Sequence, residues 1–351
     1  MFKKTYTRKI GRTLLCTLLC VLLASSMLFF ASAEGADLTV LGDGVADSWI
    51  GDASPDECEV KIVGMLGEPG FFTTSGLVEF AIDEAQTSEY GWKNSSGSTD
   101  RDTFTGICIE DLLGLLDVSE KASSIIVTAS DGFSRSFRLD DSEGGAFWTD
   151  IDGNKMMLAW NGTASRTNRD IVDFDLPRAV IGQKDPDDVN RSGWVNDIVE
   201  IRVTAFGDLS GFDWAATAIE AMYEAGIVTG MPGGLFEPAS PMNRAMAVTI
   251  LGRILNPDKD KPDVDPIVFP DVDYDDYYGV YVSWAVDNKI VQGYEDGTFR
   301  PGVNISLPHL ILLAQNAGLK EVPAGIEQGV ERLANRAELV FIMYALLLQP
   351  R

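Results

Sequence analysis

The stretch FGDLSGFDWAATAIEAMYEAGIVTGMPGGLFEP, residues 206–238, is written a second time with changes as FPDVDYDDYYGVYVSWAVDNKIVQGYEDGTFRP, residues 269–301. Without a gap, Phe206 falls on Phe269, Asp208 on Asp271, Gly230 on Gly293, Gly234 on Gly297, Phe236 on Phe299 and Pro238 on Pro301. A constant offset of 63 positions (206 to 269) means one supersecondary unit used more than once. Trp214, Ile219, Met222 and Ile227 are spaced to line one helical face, as are Val282, Ala285, Val286 and Ile290 in the second copy. A glycine-rich turn follows in each copy, and its proline bars further helix. Asn243 then reads as the N-cap of a helix that buries Ala247, Ile250, Leu251 and Ile254. Asn335, with Glu338 three residues later, makes a capping box at the start of an apolar helix running through Tyr344 to Leu348.

These residues resemble the S-layer homology (SLH) module. Its F-x-D-V, W-A, G-I-V-x-G, G-x-F-x-P and threonine-arginine-alanine-glutamate elements stand here as Phe206-Gly-Asp208-Leu, Trp214-Ala, Gly226 to Gly230, Gly234 to Pro238 and Asn243-Arg244-Ala245-Met246. The second copy departs from the pattern with Tyr277 for the tryptophan and Leu307-Pro308 for the arginine-alanine pair. A third, partial copy is visible as Asn335-Arg336-Ala337-Glu338 and lacks a first helix. The resemblance implies an all-α helical-repeat bundle, with repeat 1 over 206–256, an acidic, proline-rich linker over 257–268, repeat 2 over 269–318 and a partial repeat 3 over 319–351. It further implies binding to the secondary cell-wall polysaccharide, typically pyruvylated. In that picture Arg244 and Arg336 sit at helix N-termini in the grooves between modules, where helix end and guanidinium fork both favour a carboxylate. Asp208 and Asp271 order the neighbouring loops, Gly230 and Gly293 allow close backbone approach, and Trp214 completes the site. The competing role for both arginines is pairing with nearby acids.

The first 33 residues read as an export signal. Lys3, Lys4, Arg8, Lys9 and Arg12 precede an apolar run from Leu14 to Phe30, and Ala31-Ser32-Ala33 fits a signal peptidase site. An uncleaved membrane anchor is the alternative. Losing these five cations takes the formal net charge from −25 to −30 and leaves two cysteines, Cys58 and Cys108. So acidic a chain repels phosphate, which speaks against nucleic acid and anionic lipid as partners. Cys58 and Cys108 could pair outside the cell, although two cysteines do not make a disulfide framework.

After a linker over 34–56, residues 57–204 read as an α+β domain. Strands are expected at Val60–Gly64, Ser124–Ala129, Ser134–Leu139 and Ile198–Val203, the last alternating as a half-buried strand. The second and third are joined by a Ser130-Asp-Gly-Phe133 hairpin, and Ile109 to Leu116 is a short amphipathic helix. Five short segments, in order, resemble the molybdopterin-binding domain of sulfite-oxidase-type oxidoreductases. They are Phe104 to Leu113, Ser130 to Ser134, Met156 to Gly162, Pro177 to Gly182, and Arg191-Ser-Gly-Trp194 with the strand after it.

That resemblance implies a metal held through a dithiolene cofactor and one cysteine shortly before the Phe104 segment. Tyr90 to Thr103 contains no cysteine, and the chain's single histidine, His309, lies in the repeats. No cofactor is therefore expected, with molybdopterin the alternative, and a Ser-His-Asp or Cys-His site has no base. Asp150 to Asn154 lacks the glycine position and distal glutamate of a calcium loop. Arg169, Arg191 and Trp194 are candidates for a ligand groove, with surface ion pairs as the competing reading. The resulting expectation is a non-catalytic, exported protein anchored to the wall by its repeats and displaying an α+β domain. The alternatives are an exported molybdopterin-dependent oxidoreductase and a small-anion binding or sensing surface protein.

Overall fold

The computed structural model describes residues 49–164, 169–170, 176–255 and 269–348. The signal segment, most of the 34–56 linker and the acidic 257–268 linker lie outside the described residues. The first region is β-rich and the later region is helical. β1 (Val60–Gly64), β2 (Gly70–Phe72), β5 (Ser124–Ala129), β6 (Ser134–Arg138) and β10 (Ile198–Thr204) form one sheet in the order β2-β1-β10-β5-β6. β10 runs parallel to β1 and antiparallel to β5. A second, antiparallel sheet orders β3 (Gln86–Lys93), β4 (Thr99–Cys108), β7 (Met157–Ala164) and β8 (Arg169–Asp170), with β9 (Arg178–Val180) also paired to β7. Two helices belong to this region, α1 (Thr74–Ala81) and α2 (Ile109–Gly114).

The expected strands fall where the β-branched runs lie. Between β5 and β6 the Asp131 carboxylate accepts the Phe133 N–H at 2.9 Å and Gly132 takes φ +86°. One expectation is corrected: β10 is not half-buried. Ile198, Ile201 and Val203 are fully buried, and Glu200 and Arg202 on the opposite face are only 8% exposed. As the central strand β10 has neighbours on both edges, and a helix from the repeats covers the face where a half-buried strand would meet water.

That helix is α3 (Asp213–Glu224), followed by α4 (Arg244–Leu255), α5 (Gly279–Asp287), α6 (Leu307–Asn316) and α7 (Arg336–Leu348). Ile219 and Met222 on α3, Ala247, Ile250, Leu251 and Ile254 on α4, and Val282 and Ala285 on α5 are buried as their spacing requires. No helix occurs between Asn316 and Arg336, all of them described residues. Three loop segments meet in a closed ring of backbone bonds: Met242 N–H donates to Ala334 O (3.2 Å), Ala334 N–H to Ile305 O (3.0 Å) and Ile305 N–H to Met242 O (2.8 Å). Met242 and Ile305 are equivalent by the 63-residue offset, so the ring gives three copies of one position, each donating to another copy. Buried backbone amides need partners, and here each module supplies the next.

Candidate functional site

The first residue of each helix that starts at this ring is tied to a neighbouring module. Arg244 N–H donates to Val303 O (3.0 Å), Leu307 N–H to Arg332 O (2.8 Å) and Arg336 N–H to Ser240 O (2.9 Å). Ala245 N–H goes to Pro301 O and Ala337 N–H to Pro238 O, both at 3.0 Å. The third donor of α4 is met by Asn243 Oδ1 at Met246 N–H (2.9 Å), and that of α7 by Asn335 Oδ1 at Glu338 N–H (2.8 Å). Glu338 returns a bond to Asn335 N–H at 2.9 Å, which completes the expected capping box. The first three amides of α4 and α7 are thus spent within the protein. A carboxylate cannot use them without displacing those bonds, so recognition falls to side chains.

Arg244 reaches from α4 into the loop of repeat 2. Its Nε donates to Phe299 O and Nη2 to Gln292 O, both at 3.0 Å, and its guanidinium lies 4.6 Å from the Phe299 ring centroid and 5.1 Å from that of Tyr294. Arg336 repeats the arrangement one seam away, donating to Thr229 O and lying 4.5 Å from the Phe236 centroid. Neither is in an ion pair with a carboxylate among the described residues. Burial lowers the pKa of both below the ordinary arginine value, and arginine stays charged regardless. The two differ in access, since Arg244 is half-buried while Arg336 is only 9% exposed. Arg336 thus makes a contact between modules.

Asp208 and Asp271 order the loops that these arginines meet. Asp208 accepts Phe236 N–H (2.8 Å) and Glu237 N–H (2.7 Å), and Asp271 accepts Phe299 N–H (2.9 Å) and Arg300 N–H (2.7 Å). Gly230 and Gly293 do allow close approach, but to their own modules. A Cβ there would lie 2.4 Å from Cε1 of Phe206 or Phe269. Trp214 is a correction too: it is 45% exposed, in the first turn of α3, with its ring edge-on to Phe341 at 5.2 Å. Its neighbours Ala215 and Ala216 in the same turn are fully buried, so the turn is packed but Trp214 lies on its open side, where helical spacing alone did not place it. At the seam of α6, Leu307 is fully buried, and Arg332 is clamped by Glu338 and Glu327.

In the β-rich region the candidate groove is filled. The Arg191 guanidinium lies between Trp92 (4.8 Å) and Trp194 (4.1 Å), and its Nη1 donates to Asp102 at 3.0 Å. Trp92 Nε1 also donates to Asp102 (2.9 Å), and Trp194 Nε1 to Ile181 O (2.8 Å). Arg191 and Trp194 are thereby brought together as a structural ion-pair cluster. The backbone of Arg169 lies in β8, and its side chain is outside the described residues. The donor set does not fit a molybdenum cofactor. The β3–β4 hairpin offers no cysteine before Phe104, and Cys108 is buried with Gln86 Nε2 donating to its sulfur. Burial pushes the Cys108 thiol up to about 11, away from the thiolate that metals bind. Cys58 and Cys108 are separate free thiols, not a disulfide. Asp150 accepts Asp152 N–H (2.9 Å) and Asn154 N–H (2.7 Å), so its oxygens close a turn.

Sequence reading missed Tyr294, Gln292 and Arg300 as parts of a seam. The offset between the repeats could have pointed to two of them, because an aromatic Tyr294 stands where the first copy has Met231, and Arg300 reverses the charge of Glu237.

A family model described as S-layer homology domain matches residues 205–247 and 268–307. The chain is 30% identical over 83 residues to a cellulosome-anchoring protein of Acetivibrio thermocellus, covering 23% of this chain and 19% of the relative. It is 27% identical over 119 residues to cell surface glycoprotein 1 of the same organism, covering 32% of this chain and 5% of the relative. The chain therefore spans less than a fifth of either relative's length. A solved structure, the sulfane dehydrogenase SoxCD from Paracoccus pantotrophus, aligns with a TM-score of 0.30 and 15% identity over 43% of this chain and 39% of that one. Both copies of the internal repeat fall inside the matched segments, and the chain carries an S-layer homology domain.

Proposed function

We propose that this chain is an exported cell-surface protein, held non-covalently to secondary wall polysaccharide by its helical region. The polysaccharide is a pyruvylated one, and the β-rich region is what the protein displays. The observation that carries this reading is Arg244, a half-exposed cation at a module seam with no carboxylate partner among the described residues of a chain whose formal net charge is −25. In so acidic a protein, pairing with an acid is the easy outcome. An arginine held instead by carbonyls keeps its charge and a free edge for an anion from outside. The relatives' names, which speak of anchoring and of the cell surface, support the same reading. The displayed region has the sulfite-oxidase-like fold that its motif order suggests, without the cofactor and without catalysis.

The test is co-sedimentation of the full chain with purified wall sacculi, before and after hydrofluoric acid removes the polysaccharide. The protein is expected in the pellet before stripping and in the supernatant after it. Protein that never pellets, or that pellets equally with stripped walls, overturns the anchor.

A further inference from the structure

In the second sheet a thiol and a carboxamide are held against each other. Gln86 opens β3 opposite Gly106 of β4, and the next residue on that face of β4 is Cys108. Gly106 has no side chain to stand between them, and Gln86 Nε2 lies 2.5 Å from Cys108 Sγ. Even an N–H···O bond spans about 2.7–3.2 Å, and sulfur is larger than oxygen, so the contact is tighter than a hydrogen bond requires. Cys108 is a free thiol. Access to the pair is one-sided, because Cys108 is only 3% exposed while Gln86 is exposed.

We propose that Cys108 and Gln86 condense to an internal thioester, and that this thioester acylates a primary amine. The Cys108 sulfur attacks Cδ of the Gln86 carboxamide. The Sγ–Cδ bond forms, the Cδ–Nε2 bond breaks, and the thiol proton leaves with the nitrogen as ammonia. Nothing is oxidised or reduced. Holding the two groups in contact replaces a bimolecular encounter and raises their effective concentration to the order of 10⁵ M or more. Burial keeps the Cys108 thiol protonated, which supplies the proton that ammonia carries away. Lys155 lies within electrostatic range of the sulfur and favours the negative charge that builds there during the attack. The product suits its place. Its sulfur is shielded from water, which slows hydrolysis, and its acyl carbon belongs to the exposed side chain that an amine can approach. The amine takes the Gln86 acyl group as a new amide and releases the Cys108 thiol, so each chain acts once. A plain N–H···S bond between the same atoms leaves both side chains unmodified.

The experiment is mass spectrometry of the full chain, unfolded in acid and cut with pepsin, before and after incubation of the folded protein with methylamine. The peptides that carry Gln86 and Cys108 are expected to be joined and lighter by one ammonia. After unfolding, Cys58 is expected to react with iodoacetamide and Cys108 to resist it. Methylamine is expected to part the two peptides, leaving an N-methylated amide on Gln86 and a thiol on Cys108 that iodoacetamide then takes. Gln86→Ala, a change at an exposed position, is expected to abolish the cross-link and leave Cys108 open to alkylation in the unfolded chain. Separate parent peptides of full mass, with Cys108 alkylated after unfolding, overturn the inference. So does an ammonia deficit that persists in Gln86→Ala, or a cross-link that methylamine leaves intact.

Discussion

Gly226 and Lys289 hold one position in the repeat, just past the C-caps Ala225 and Asn288 of α3 and α5, and both take a left-handed backbone, φ +70° and +59°. Glycine adopts it freely, while a side chain with a Cβ is strained by about 1 kcal/mol. Lys289 is exposed, so its side chain returns little packing to offset that strain. Lys289→Gly is therefore expected to raise stability by about 0.5–1 kcal/mol, net of the entropy that glycine adds to the unfolded chain. The urea midpoint measures it, and a midpoint that falls would show that Lys289 is not strained. The same logic explains Glu237 and Arg300, at φ +58° and +57°, each with its N–H held by the aspartate that opens its module. Two carboxylate bonds per loop keep those conformations in place, and the equality of the two copies is the reason that Asp208 and Asp271 could be read from sequence.

The helices show where legibility ends. Those whose apolar residues recur at helical spacing, α4 above all, bury the residues that the spacing names. The capping box of α7 was equally legible, because its donors and acceptors lie within four residues. Its loss is measurable: Asn335→Ala leaves Glu338 N–H without its cap and is expected to cost about 1 kcal/mol. Glu338→Ala should cost more, since Arg332 and Asn335 N–H both lose their buried acceptor. Equal urea midpoints for parent and Asn335→Ala would count against the cap. What could not be read depends on distant partners. Trp214 looked apolar and inward, but the core covers the Ala215 and Ala216 side of that turn, and Trp214 meets only the edge of Phe341 from a distant helix. Arg336 matched a motif, yet its burial is imposed by Thr229 and Phe236, about a hundred residues earlier. The alternation of β10 spoke for one face only, and nothing local announced that α3 would cover the other.

That covering makes the β-rich and helical regions one packed body, with a continuous apolar core from Val60 to Leu346. Ser119 Oγ donates to Glu224 (2.6 Å), Lys121 Nζ to Glu224 O (2.8 Å) and Ser123 Oγ to Ala205 O (2.8 Å) across the junction. At its centre Arg202 on β10 bonds Glu200 (3.2 Å) and Glu220 of α3 (3.3 Å), while Lys61 on β1 reaches Glu200 at 2.8 Å. Burial pushes the Glu220 carboxyl up to about 7, against the pull of Arg202 and Thr204 and with the repulsion of Glu200 added. Its Oε1 has no hydrogen-bond partner among the described residues. In the unfolded chain the same group ionises near 4.5. Below that pH both states hold the proton, and above about 7 neither does. Between the two only the folded state holds it, so this group's contribution falls as pH rises, by up to about 1.4 kcal/mol per pH unit. Glu220→Gln keeps the shape and removes the titration. Urea unfolding at a series of pH values should therefore show parent stability declining from pH 4.5 to 7 relative to the variant, with the difference constant on either side. A difference that does not change with pH across that window would mean that Glu220 is ionised throughout, and that the junction is held by a full ion pair to Arg202 and not by a proton.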